Sequence, residues 1–403
     1  MKNISLILAI IAILGIALCS GCGTSKPQGY AELEGLNKLV AERWSGYSAG
    51  KANFGGGLAM YVISPKGNFY ASTNMPGGTA DTHFRGASTT KTYTAAAIML
   101  LHQQGKLNIN DLITANITGS TEPYVPNTAD YNIPYKGQIT IKMLLNHRAG
   151  VWDVTNMDFP TTESVPYAGK NYLDYMKALD PEHTFTADEL VGTVATCQVS
   201  SFVPDTDYHY SDTGYTMLGK IIERVSGLRY DQFLQTNLLA PNGLTETGFP
   251  YLGNDRTIPS PFETGYQYLS SALTDVTVDN MTGHVAEGNV ITTTAELAKW
   301  IRVLIEGQSG VSAATVNLMI TEALVRNYGL GIFKIAGLGY GHNGAHNGYL
   351  TTAFCDPTQE VTVVMSASVI NWDDLVGEMT CLYDTSRAAK NLLGYSTAEG
   401  ISN

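Results

Sequence analysis

Cysteine is scarce in this chain, five among 403 residues, and two of the five, Cys19 and Cys22, lie close to the N-terminus. The other three, Cys197, Cys355 and Cys381, are far apart and form no Cys-x-x-Cys pair. That argues against a cysteine zinc site and leaves one disulfide open, with a pairing that spacing does not reveal. Positive charge is also short: 24 Lys and Arg against 36 Asp and Glu give a formal net charge of -12. No basic cluster interrupts this acidic background, so nucleic acid is not an expected partner. His-Glu-x-x-His is missing, internal repeats are missing, and past the N-terminus no apolar run reaches membrane-spanning length.

What is present supports a sizeable core. The chain is 44% hydrophobic and only 15% charged, which suits one large or two ordinary domains. Met1-Lys2-Asn3 and the apolar residues 4–18 have the order of a secretory signal. It closes on Leu18-Cys19-Ser20-Gly21-Cys22-Gly23, which resembles a prokaryotic lipobox with Cys22 as the lipidated residue, although Cys19 sits where leucine is usual. An uncleaved membrane anchor is the competing reading. Both predict a protein outside the cytoplasm and tethered to a membrane. The expected organisation is a lipoprotein-type signal over residues 1–22, a tether over 23–29 and a single domain over 30–395.

Periodicity places the elements. Residues 30–44 carry helical apolar spacing at Leu33, Leu36, Leu39 and Val40. Residues 57–63 and 68–71 read as two strands around the Ser64-Pro65-Lys66-Gly67 turn. A helix follows Ser88 and ends near Gly105, and residues 108–137, rich in Asn, Pro, Thr and Gly, read as loop. Further helices are expected over 140–145, 215–225 (closed by Gly227), 293–305 and 373–393. Strands are expected over 330–333, 350–354 and 361–365. Strands at both ends with helices between predict an α+β fold, an α/β sandwich. One sheet is built from both chain ends and flanked by helices, with a mostly helical lobe inserted over roughly residues 95–300.

Three segments carry chemistry. Ser88-Thr89-Thr90-Lys91 sets a hydroxyl and an amine three residues apart at a helix start, where residues i and i+3 share a face. A serine hydroxyl needs a base, and a desolvated lysine can serve as one. The helix start adds free N–H groups beside a developing oxyanion. An N-capping serine beside a solvated lysine is the plainer account of the same four residues. Tyr210-Ser211-Asp212 precedes another helix; the phenol becomes an acid or base if a nearby cation lowers its pKa, and otherwise Asp212 caps the helix. His342-Asn343-Gly344-Ala345 lies in a glycine-rich stretch before a strand, where backbone can approach a substrate or simply form a hairpin. His342 and His346 are four apart but not on a helix, so no metal site is expected, and His147 and His209 read as structural or surface residues.

In order and combination these segments resemble the serine β-lactamase and penicillin-binding protein superfamily, in the branch of class C β-lactamases, DD-carboxypeptidases and related esterases. Its motifs are Ser-x-x-Lys, Tyr-x-Asn and Lys/His-Thr/Ser-Gly. Flanking text agrees: Gln104-Gly105-Lys106-Leu107 with Asp111, residues 139–150, and Gly288-Asn289-Val290-Ile291-Thr292-Thr293. The resemblance implies Ser88 as acylated nucleophile, Lys91 as its activating partner and Tyr210 as proton shuttle. It also implies His342 on the site strand and an oxyanion hole from the N–H groups of Ser88 and Ala345. Asp212, Asn343, Gly344 and Ala345 would meet substrate, and no cofactor is implied. Two departures stand out. Asp212 replaces an asparagine that donates a hydrogen bond, which an ionised aspartate cannot do, and Asn343 replaces the usual Thr or Ser.

The expected function is therefore a surface-anchored serine hydrolase, foremost D-alanyl-D-alanine carboxypeptidase-like. Its substrate would be a small molecule or peptide (D-Ala-D-Ala-like, a β-lactam or an ester). A β-lactamase or carboxylesterase is the alternative, as is a penicillin-binding sensor that does not turn over or a catalytically dead binding module.

Overall fold

The computed structural model describes residues 29–321 and 326–398. The signal, Cys22 and most of the tether lie outside the described residues. Among those described, no helix is long and apolar enough to cross a membrane.

The chain opens with α1 (Tyr30–Ser48), whose Leu36, Val40 and Trp44 repeat every four residues and are all buried. β1 (Leu58–Ser64) and β2 (Gly67–Thr73) form the expected hairpin. β3 (His83–Ala87) leads into α2 (Thr90–Gln103). The lobe then carries α3 (Ile141–Leu145), α4 (Tyr172–Leu179), α5 (Ala187–Cys197), α6 (Asp212–Ser226) and α7 (Tyr230–Leu234). β4 (Tyr266–Leu269), β5 (Ala272–Asp275), β6 (Val290–Thr293), α8 (Thr294–Ile305) and α9 (Ala313–Thr321) return the chain to the sheet. β7 (Phe333–Ile335), β8 (Gly339–His346), β9 (Tyr349–Asp356), β10 (Val361–Ala367), β11 (Val369–Asn371) and α10 (Leu375–Leu392) complete it.

The main sheet has the order β2-β1-β10-β9-β8-β7 and is antiparallel throughout. Both chain ends thus build one sheet, as the sequence implies. β9 and β10 are buried along nearly their whole length, because α1 and α10 cover one face and α8 the other. The core is correspondingly double. One cluster joins Leu36, Val40 and Trp44 to Leu382 and Ala389; the larger one centres on α2 and α6.

Several details depart from the sequence reading. The 330–333 strand begins only at Phe333. β3 and β6 form a separate two-stranded sheet, and β11-β4-β5 a three-stranded one. α8, counted with the lobe in the sequence reading, packs on β9 and β10. Cys197, Cys355 and Cys381 are all free, so the open disulfide does not form among them.

Candidate active site

α2 is the buried axis of the molecule: every residue from Thr90 to Leu101 is buried. Thr89 rather than Ser88 occupies its N-cap position and makes no side-chain capping bond. Ser88 instead sits in the turn between β3 and α2. That turn is held tightly. Ala87 has φ 50, a left-handed backbone that costs an alanine roughly 1 kcal/mol, and the β3–β6 register slips between Arg85 and Ala87. Thr90 Oγ1 donates to Ala87 O at 2.7 Å and accepts from Val290 N at 2.9 Å. Trp300 Nε1 donates to Thr92 Oγ1 at 2.8 Å. Packing, not the cap, therefore positions the hydroxyl.

Lys91 Nζ donates to Ser88 Oγ at 3.2 Å and to Glu287 O at 2.8 Å. It lies 2.5 Å from Asp212 Oδ1 and 3.6 Å from Glu287 Oε2, and it is wholly buried. The Tyr210 ring stands beside the lysine, its centroid 4.8 Å from Lys91 Nζ, and lines the same cleft as Ser88. The structure thus brings Ser88, Lys91, Tyr210 and Asp212 into one cluster.

Ser211, not Asp212, caps α6: its Oγ accepts from Gly214 N at 3.2 Å. This frees the Asp212 carboxylate for the lysine. Asp212 Oδ2 accepts from Asn156 Nδ2 at 2.8 Å, and the same amide donates to Asp153 Oδ2 at 2.9 Å. His147 is buried beneath, its Nδ1 accepting from Ser211 N at 3.1 Å, so it is a structural residue.

The charges sort themselves around Lys91. Burial pulls the lysine pKa down, but Asp212, Tyr210 and Glu287 outweigh it and hold Lys91 well above its ordinary value. Burial works against an ionised Asp212, yet Lys91 and the hydrogen bonds from Lys91, Asn156 and Glu287 hold it below the usual carboxylate range. Glu287 is pushed well up, by burial first and by Asp212 second; it carries the proton of the pair. Asp153 rises to about 8 by burial and the charge of Asp212. Tyr210 is not lowered as the sequence reading required. Burial raises it, and the adjacent Lys91 offsets only part of that. At neutral pH the cluster therefore holds an ammonium, one carboxylate and a neutral phenol.

The third motif lies on β8. Gly344 has no room for a Cβ, which would meet Gly86 O at 2.2 Å; this close approach seats β8 against the β3 turn that carries Ser88. His342 Nε2 meets Tyr328 Oη at 3.1 Å, and burial together with Lys91 lowers its pKa to about 3. Its imidazole is neutral. Asn343 follows on the alternate side of the strand, and its Oδ1 is buried without a hydrogen-bond partner. The amide expected to meet substrate thus leaves the strand on the face opposite His342. His342, Asn343 and Ala345 line a cleft of about 1020 Å³ with Ser88, Tyr210 and Asp212. His209, read as structural or surface, lines it as well.

The sequence reading missed Glu287, Asp153, Asn156 and His284. Glu287 stands directly before the Gly288-Asn289 flank, a position that carried a signal. Asn156 and Asp153 had none, since only the tertiary fold turns their loop toward α6. His284 Nδ1 bonds Glu287 Oε1 at 2.7 Å, and its ring stands edge-on to His346, with centroids 4.7 Å apart. His346 Nε2 reaches Asp279 Oδ2 at 2.9 Å, not His342. Burial is the main cause that lowers both His284 and His346 to about 4.

Comparison with known proteins agrees with this geometry. The chain is 24% identical over 287 residues to a putative penicillin-binding protein PbpX of Bacillus subtilis (strain 168), covering 71% of this chain and 62% of that one. It is 30% identical over 165 residues to penicillin-binding protein 4* of the same organism, covering 41% of this chain and 30% of that one. The chain thus spans under two thirds of the length of these curated relatives. Among solved structures, a D-stereospecific amidohydrolase from Streptomyces sp. superposes with TM-score 0.69 at 22% identity, covering 89% of this chain and 98% of that one. A D-amino acid amidase from Ochrobactrum anthropi SV3, solved with L-phenylalanine amide, gives 0.69 at 19% identity, covering 90% and 99%. These two share the fold. The Beta-lactamase family profile matches residues 55–376, most of the described chain, and this protein is a member of that family of serine hydrolases.

Proposed function

We propose that the protein hydrolyses amide bonds of small D-aminoacyl substrates through an acyl-enzyme on Ser88, on the outer side of a membrane to which Cys22 tethers it. The observation that carries this reading is the contact of Lys91 Nζ with Ser88 Oγ at 3.2 Å, with the Tyr210 ring beside the lysine. Once Lys91 is deprotonated, it takes the proton as Ser88 Oγ attacks the carbonyl carbon. Tyr210 relays that proton to the leaving nitrogen, the C–N bond breaks and water then releases the acyl group.

Two features favour an amide over a D-alanyl-D-alanine peptide with its free carboxylate. His342 is neutral, and the Asn343 side chain leaves β8 on the face opposite His342. Lys177, the one Lys or Arg among the cleft-lining residues, is paired with Asp279 at 3.1 Å. Among the described residues, no unpaired Lys or Arg lines the cleft to meet a leaving-group carboxylate. The structural relatives named for D-stereospecific amidohydrolase and D-amino acid amidase activity support the same choice. The DD-carboxypeptidase-like reading is second, and β-lactam or ester hydrolysis follows.

A non-hydrolysing sensor is favoured by one observation only, the Lys91–Asp212 pair at 2.5 Å, which deprives Ser88 of a neutral base. The test is a panel of D-amino acid amide, D-Ala-D-Ala peptide, ester and cephalosporin, with intact-mass analysis and a fluorophosphonate label. Turnover of the amide above the peptide is expected, with one label on Ser88 and none on Ser88→Ala. Labelling that survives Ser88→Ala refutes the nucleophile; a single stoichiometric burst on every substrate refutes hydrolysis in favour of the sensor.

A further inference from the structure

We propose that Asp279, His284 and His346 form a binding site for a divalent ion of the zinc class in the wall of the cleft. These residues come from two segments, the stretch before β6 and the end of β8, and one ligating atom from each falls within 4.8 Å of the others. Two imidazoles and a carboxylate are the donor set of open zinc and other first-row metal sites. Both imidazoles line the cleft, so further coordination positions face solvent and substrate.

The surroundings have the form expected around metal ligands. A ligating histidine is usually fixed by a carboxylate on its other nitrogen. Here His284 Nδ1 meets Glu287 Oε1 at 2.7 Å, while its Nε2 has no hydrogen-bond partner among the described residues. A ligating carboxylate is usually hydrogen-bonded in turn, and Lys177 Nζ lies 3.1 Å from Asp279 Oδ1. That leaves Asp279 Oδ2, which is 2.9 Å from His346 Nε2. The spacing suits two neighbouring ligands of one ion. The ion would replace the proton between them, with His346 carrying its hydrogen on Nδ1. A tetrahedral site with bonds of about 2.1 Å has edges of roughly 3.4 Å, so the three ligating atoms, now within 4.8 Å of one another, would draw together around the ion.

The same contacts serve as a plain hydrogen-bond network, in which Lys177 and His346 satisfy Asp279. The positive charge of Lys177, and of the buried Arg85 near His346, disfavours hard ions held by charge alone. It leaves ions that gain from imidazole nitrogen, hence zinc, cobalt or nickel rather than magnesium or calcium. His284 Nε2 is not among the buried atoms left unpaired, so in the network alone water meets it, and an ion would take that water's place.

The experiment is titration of the chelator-treated protein with zinc by calorimetry and with cobalt by visible absorption, neither of which reads activity. One equivalent is expected to bind, with cobalt bands of a four- or five-coordinate centre. His284→Ala and His346→Ala should each weaken binding by at least about 100-fold and Glu287→Gln by roughly 10-fold. Lys177→Met, which keeps all three ligands, should tighten it. Circular dichroism shows whether each variant is folded. Failure of the unmodified protein to bind either ion at about 0.1 mM, far above a structural site's dissociation constant, overturns the proposal. So does binding that folded His284→Ala and His346→Ala both retain.

Discussion

Replacing Asp212 by asparagine isolates the most unusual feature of this site with almost no change in volume. Lys91 Nζ has two carboxyl groups beside it, Asp212 Oδ1 at 2.5 Å and Glu287 Oε2 at 3.6 Å. At an effective dielectric of about 20, unit charges at these distances attract by roughly 7 and 5 kcal/mol. In the native site Asp212 bears the charge and Glu287 the proton. Without Asp212 the second cause that keeps Glu287 neutral is gone, and although burial remains, the adjacent Lys91 ammonium then favours ionised Glu287, which becomes the counter-ion at the longer distance. The net loss for protonated Lys91 is therefore about 2 kcal/mol, or roughly 1.5 pKa units at 1.36 kcal/mol each. The sign follows from the chemistry. Lys91 is raised and protonated at neutral pH, Ser88 needs it neutral, and acylation rises as pH passes its pKa. Asp212→Asn should move that rise to lower pH by about one to two units, with a plateau at least as fast as in the native protein, since the amide also supplies a donor. Stopped-flow acylation by an ester or penicillin from acid to alkaline pH reads both quantities. A profile that stays put, or a plateau more than about tenfold lower, equal to roughly 1.4 kcal/mol of lost transition-state stabilisation, refutes the reasoning. In the second case the carboxylate is itself part of the proton path.

Gly344→Ala should cost about 1–3 kcal/mol of stability and lower acylation, because its Cβ would meet Gly86 O at 2.2 Å and push β8 from the Ser88 turn; an unchanged denaturation midpoint with full labelling contradicts that account. Cys22 should carry a diacylglycerol after signal removal, because a single acyl chain holds a membrane only marginally. Mass spectrometry that finds a free N-terminus or a retained signal rejects the lipid anchor in favour of the alternatives.

The sequence by itself determined the elements that repeat locally and the residues that a helix turn brings together. The four-residue spacing of Leu36, Val40 and Trp44 announces α1, the Ser64–Gly67 turn announces the first hairpin, and Ser88 meets Lys91 because three residues make about one turn. The order of strands and helices also implied a sheet built from both chain ends. Tertiary structure decided everything that depends on distant segments meeting. Glu287 reaches Lys91 across 196 positions, and Asn156 reaches Asp212 across 56; no periodicity encodes such contacts. Ionisation was decided there too. A tyrosine beside a lysine reads as an acidified phenol, but burial raises Tyr210 by more than Lys91 lowers it. The side chain of Asn343 turned on strand alternation, since a strand sends neighbours to opposite faces. Local spacing is written in the chain, whereas burial and charge neighbourhood exist only once the two halves have packed around α2.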